Sequence, residues 1–97
     1  MNYKITLGTN IGKSHRYYTC KRRLKKQLES LGYNYSLEQI EGTYTDSKGR
    51  YIKEKSMVIT LFEITYDNAI SIAKWYKSAC NQESVIIEKL ESKVEFI

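Results

Sequence analysis

Ninety-seven residues, 41% hydrophobic and 28% charged, make one globular domain with a single core and too little chain for a second. With no proline and only five glycines there is no linker or low-complexity tract, and no apolar stretch long enough for a signal peptide or a bilayer span, so the expected location is the cytoplasm. The net charge of +5 is uneven: residues 1–28 hold eight bases and no acid, and the remainder eight bases against eleven acids, which favours an acidic partner for the N-terminal part.

The first element is "YKITLG", whose alternation predicts a strand with Tyr3, Ile5 and Leu7 on one face. "LGTNIGKS" follows and has the look of a phosphate-binding loop. Its spacing is wrong for one: Gly8 and Gly12 enclose three residues where the P-loop needs four, and no later strand ends in an Asp placed for Mg²⁺. Gly8 therefore reads as the end of a strand and Gly12 as the turn into a helix. The helix start beside Lys13 and Arg16 retains the capacity to hold an anion without hydrolysing it.

That helix is expected from about Ser14 to Leu31. Tyr17, Cys20, Leu24, Leu28 and Leu31 form its apolar stripe, with Ser14 as N-cap and Gly32 as terminator. "YSLEQIEGTYT" and "RYIKEKSMVITLFEI" read as two strands joined at "DSKG", with a bulge where the apolar phase slips between Leu37 and Ile40. On the second of them Met57, Ile59 and Leu61 face one way, and Val58, Phe62 and Ile64 the other. One helical layer covers only one of these faces, so a second copy of the chain is the expected cover for the other. A second helix from about Tyr66 to Cys80 has Ala69, Ile72, Ala73, Tyr76 and Cys80 on its stripe and Thr65 or Asp67 as cap. In the last strand Ile86, Leu90, Val94 and Phe96 are expected inward. The order is β-α-β-β-α-β, an α+β ferredoxin-like fold with a four-stranded antiparallel sheet and two helices on one face.

Gly42-Thr43-Tyr44, Gly49, Glu54-Lys55-Ser56, Tyr76, Gln82-Glu83-Ser84-Val85 and Phe96 together resemble a family of small bacterial and phage-borne proteins known only as a domain of unknown function. The resemblance runs from Leu7 onward, its specific part lies between Gly42 and Val85, and it implies the same ferredoxin-like fold. Many members carry a secretion signal and a Phe-Pro pair after the first helix, and this chain has neither. Its first helix is also the more basic, which fits a cytoplasmic, phage-borne or mobile-element variant.

Gln82-Glu83-Ser84 sits where the second helix meets the last strand, and such side chains commonly satisfy backbone groups at a junction. With Glu54 and Ser56, which share a strand face, they are also the candidate lining of a pocket. Arg50 or a ligand donor is the expected partner for Glu54, because an unpaired buried charge is costly. Glu54 and Glu83 as a general acid–base pair have no spacing to fix their separation. His15, the single histidine, has no nucleophile placed beside it, and Cys20 and Cys80 have no metal-ligand spacing, so they read as buried thiols. No cofactor or metal is expected.

Lys21, Arg22, Arg23, Lys25 and Lys26 make a basic helix face, and no acid precedes Glu29 to give the i, i+4 pairing that usually accompanies solvent-exposed bases. The leading expectation is a non-enzymatic, homo-oligomeric binding protein that sequesters an anionic or nucleotide-type ligand, with an anti-defence role. Its site residues would be Lys13, Arg16, Arg50, Glu54, Ser56, Tyr76, Gln82, Glu83 and Ser84. The alternative is an inhibitor or regulator that docks through the basic helix on nucleic acid or on a nucleic-acid-handling complex, with nucleic acid or an acidic host protein as partner and Tyr17 or Tyr18 available to stack.

Overall fold

A computed structural model describes residues 1–11, 14–45, 47–82 and 85–91. In chain order the elements are β1 (Asn2–Gly8), β2 (Asn10–Ile11), β3 (Ser14–His15), α1 (Tyr17–Ser30), β4 (Asn34–Thr45), β5 (Tyr51–Phe62), α2 (Tyr66–Ala79) and β6 (Ile86–Leu90). The main sheet has the order β4-β5-β1-β6, every neighbouring pair antiparallel, while β2 and β3 pair only with each other. This is the ferredoxin-like arrangement.

The alternation in β1 sets the core. Tyr3, Ile5 and Leu7 lie opposite Leu61, Ile59 and Met57 of β5, and all six are buried with Leu24 and Leu28 of α1 and Ile72 and Tyr76 of α2. Each helix stops in the same way. Gly32, at φ +70, follows α1, and the N–H groups of Gly32 and Tyr33 return to the carbonyls of Glu29 and Leu28. Asn81, at φ 49, follows α2, and Asn81 and Gln82 return to Ser78 and Lys77. Both satisfy carbonyls that a helix end would otherwise orphan, in the Schellman pattern. At the start of α2 the hydroxyl of Thr65 accepts from the N–H of Asn68.

Several expectations are corrected. α1 begins at Tyr17, because Ser14 and His15 are spent pairing with Asn10 and Ile11; the N-cap is Arg16, without a side-chain cap. Leu31 is the C-cap and is 45% exposed, so it leaves the stripe. There is no bulge: β4 and β5 run in unbroken register from Asn34↔Phe62 to Thr45↔Tyr51. The slip in apolar phase instead marks where β4 outruns the core. Ile64 joins the core, because Glu63 adopts a left-handed φ of 53 and breaks the alternation; its N–H is held by Asn2 Oδ1. Ile86 points away from the core and is 67% exposed, whereas Ile87, opposite Ile5, packs inward. Val94 and Phe96 lie outside the described residues.

The sheet face away from the helices carries Lys4, Thr6, Val58, Thr60 and Ile86, which are cross-strand neighbours. Val58 is already 7% exposed within the single chain, so the bare apolar area on this face centres on Ile86. Among the described residues no helix is long and apolar enough to cross a membrane, which says nothing of a β-barrel.

Candidate functional site

The cleft with most chemistry lies on this open face, where β1 ends. Gly8 is opposite Ser56, and Glu54 is opposite Gly42, so the i, i+2 spacing of Glu54 and Ser56 puts both side chains on the same side of β5. Thr6, Gly8, Gly42, Glu54, Ser56, Gln82 and Ile86 border an open cleft of about 490 Å³. That volume suits a small organic ligand.

Gly8 is the floor. A Cβ placed on it would strike Glu54 Oε1 and stand 2.7 Å from Gln82 Oε1. The carboxylate and the amide oxygen therefore occupy space that only glycine leaves open. Glu54 Oε1 accepts from the backbone N–H of Thr9 at 3.1 Å and from the Ser56 hydroxyl at 3.4 Å. Gln82 is brought over Gly8 by the left-handed turn at Asn81, and its Nε2 donates to the Cys80 carbonyl at 3.0 Å. Thr9, buried behind the carboxylate, donates its hydroxyl to the Lys55 carbonyl.

Tyr76 lies on the far side of Gly8, with no exposed surface, and its hydroxyl donates to the Gly8 carbonyl. Burial pushes this phenol far above its ordinary range, so it stays protonated as a donor. The neighbouring Cys80 thiol is pushed up to about 12, again chiefly by burial. Cys20 and Cys80 are both free and buried, as expected.

Four of the expected ligand-binding residues thus meet: Glu54, Ser56 and Gln82 at the cleft, and Tyr76 beneath its floor. Arg50 sits exposed at the start of the β5 arm, just before Tyr51. Arg16 is exposed at the start of α1, where its backbone N–H donates to the Thr9 carbonyl at 3.1 Å. Lys13, Glu83 and Ser84 lie outside the described residues. Gly8 and Thr9 were missed as site residues. The signal available was the glycine at a strand end, which marks close approach as readily as a turn.

The basic helix divides in two. Arg23 Nη1 donates to the Ala79 carbonyl at 3.0 Å, tying α1 to the end of α2, and Lys21 Nζ lies 5.6 Å from the Tyr17 ring centroid. Arg22, Lys25 and Lys26 are exposed, as is Tyr18 at 71%. Their spacing places them along one helix face.

No protein-family model matches the chain, and no curated protein matches it. Solved structures do. A phage SAM lyase in complex with S-methyl-5′-thioadenosine has a TM-score of 0.67 at 22% identity, over 89% of this chain and 76% of that one. CutA1 from Pyrococcus horikoshii has a TM-score of 0.65 at 12% identity, over 98% and 88%. The GlnK–ATP complex of B. subtilis has 0.56 at 13% identity, over 92% and 81%. At these identities the likeness shows the fold, ferredoxin-like throughout. It also corrects the expectation of a non-enzymatic protein, since the first of these neighbours, seen also in its apo state, is an enzyme.

Proposed function

We propose that this chain binds S-adenosylmethionine (SAM) in the cleft over Gly8 and breaks it to S-methyl-5′-thioadenosine. The carrying observation is the Glu54 carboxylate, fixed over a glycine floor by Thr9 and Ser56 and flanked by Gln82. Support comes from the neighbours, two of which were solved with an adenosine-bearing molecule bound, one of them a SAM lyase. The adenosine of SAM answers the nucleotide-type expectation, and its amino-acid carboxylate the anionic one.

S-Methyl-5′-thioadenosine retains the methyl and adenosyl groups of SAM. The bond that breaks therefore joins sulfur to the amino-acid arm: its electron pair returns to sulfur while the arm's own carboxylate oxygen closes on the carbon that sulfur leaves, releasing the arm as a lactone with no water or external base consumed. The positive charge on sulfur vanishes as this happens. A carboxylate facing the sulfonium would stabilise the ground state more than the transition state and slow the step. Glu54 is better placed on the ammonium of the arm, where its charge orients the leaving fragment without opposing the chemistry. In a phage, consuming a host metabolite in the cytoplasm would serve the anti-defence role. A second copy covering the open face around Ile86 belongs to the same reading.

The test is incubation of the purified protein with SAM, followed by chromatography and mass spectrometry. S-Methyl-5′-thioadenosine should accumulate as SAM disappears; neither turnover nor binding of SAM would end this reading. Glu54→Gln should weaken SAM binding about tenfold or more, the worth of a charge-assisted hydrogen bond. The same change should alter binding of S-methyl-5′-thioadenosine, which lacks the arm, less than about twofold. Calorimetric titration of both ligands measures the difference.

A second reading, docking on nucleic acid, is favoured by one observation: Arg22, Lys25, Lys26 and Tyr18 are exposed along a helix face whose one acid, Glu29, stands in the last turn of α1 and accepts from the Tyr35 hydroxyl. Arg22→Glu, Lys25→Glu and Lys26→Glu together should abolish any salt-dependent shift of labelled RNA or DNA. Each single change should lower the log–log salt slope by about one. Wild-type protein that shifts no nucleic acid at low salt would remove this reading.

A further inference from the structure

We infer that Tyr76 is a positioning residue that acts on Glu54 through the peptide joining Gly8 to Thr9. The inference deepens the function proposed above and rests on Glu54 being its working carboxylate. The carbonyl of Gly8 and the N–H of Thr9 belong to one planar peptide unit, which in the trans form directs them to opposite sides. No peptide bond in the described chain is cis. On the helix side the carbonyl accepts the Tyr76 hydroxyl, and on the open side the N–H donates to Glu54 Oε1 at 3.1 Å. One rigid plane therefore connects a phenol with no exposed surface to a carboxylate at the cleft.

Two effects follow from that connection. Rotation of the plane would move the donor off the carboxylate, and the phenol blocks rotation because its own ring is locked in the core among Cys20, Cys80 and the β1 side chains. A carbonyl that accepts a hydrogen bond also polarises its amide, which makes the N–H on the other side a stronger donor. Thr9 is held at two further points, hydroxyl to Lys55 and carbonyl to the N–H of Arg16, so the plane has little other freedom. Tyr76 thus reaches the floor of the site from the core. With no exposed surface and outside the cleft lining, it acts through the peptide rather than on the reacting atoms.

The test combines kinetics with a spectroscopic signature. Tyr76→Phe preserves the ring and removes only the donor. In otherwise wild-type protein it should raise KM for SAM about fivefold with kcat within about twofold, because the carboxylate it steadies holds the ammonium in ground and transition state alike. In a Glu54→Gln background the same change should cost less than about twofold, because its route to the substrate is already gone. Independent of any substrate, the Thr9 amide proton should move upfield in Tyr76→Phe as its hydrogen bond weakens. Additive kinetic losses, or a Thr9 resonance that stays in place, would overturn the inference. If SAM is not turned over at all, the proposed function fails and the Thr9 resonance alone decides. Should Tyr76→Phe fail to fold, Glu54→Gln must displace the ¹³Cζ resonance of Tyr76 across the shared peptide; an unmoved resonance overturns the inference equally.

Discussion

Gly8→Ala is expected to weaken ligand binding severely while leaving the fold standing. The methyl group would land on the carboxylate oxygen of Glu54 and close to the amide oxygen of Gln82. Both are ends of flexible side chains, so the backbone need not move; the side chains will swing away instead. That motion takes Glu54 off the Thr9 N–H and lifts Gln82 from the floor, removing two polar contacts at once. The affinity for SAM should fall about a hundredfold, as expected for two such losses. Stability should hardly change, because Gly8 ends β1, its φ is not left-handed, and alanine there costs less backbone entropy than glycine. Calorimetric titration beside thermal unfolding separates the two effects. Unchanged affinity would show that the ligand sits elsewhere, and a collapse in stability would show that Gly8 serves the fold.

The second large effect is on stability. Ile59 is fully buried on β5, between Ile5 and Leu37 in register, at the centre of the layer under both helices. Ile59→Ala removes three carbons from a site whose neighbours are strands in a continuous ladder and cannot collapse into the gap. The loss should be about 2–5 kcal/mol, seen as a lower denaturant midpoint with an unchanged slope. Val58, one residue earlier and on the opposite face, provides the comparison. Val58→Ala should cost clearly less, since its surroundings are cross-strand neighbours rather than a packed helix layer. Equal losses at the two positions would mean that the open face is as tightly packed as the core.

Much of this architecture was legible in the residues. The alternation Tyr3, Ile5, Leu7 and the stripe Tyr17, Cys20, Leu24, Leu28 each report a repeating geometry, and repetition survives without knowledge of the partner. Single-residue events do not repeat. Glu63 turns left-handed for one residue and thereby sends Ile64 into the core against the phase of β5. The run Val85-Ile86-Ile87 fits either phase; the pairing of Ile87 with Ile5 decides it, a contact across 82 positions. The site divides along the same line. Glu54 and Ser56 share a face by spacing alone, and Gln82 follows from its place at a junction. The bond from Tyr76 to Gly8 crosses 68 positions and depends on where α2 lies over β1, which no local pattern encodes. The acid in the cleft has a similar origin: net charge is a property of composition, whereas Glu54 is placed beside Gly8 by strand register.

The pairing between β4 and β5 carries one more consequence. β1 joins the sheet only as far as Ser56, so residues 41–45 and 51–55 form a two-stranded arm beyond the last strand of the main layer. The cleft opens at the root of that arm, beside Gly42 and Glu54. Two cross-strand pairs added or deleted at the tip would change its length by about 7 Å without shifting one core side chain. Such an arm works as an adjustable spacer. Related chains are free to vary its reach, and with it whatever it touches past the cleft, at no expense to the domain that holds the chemistry.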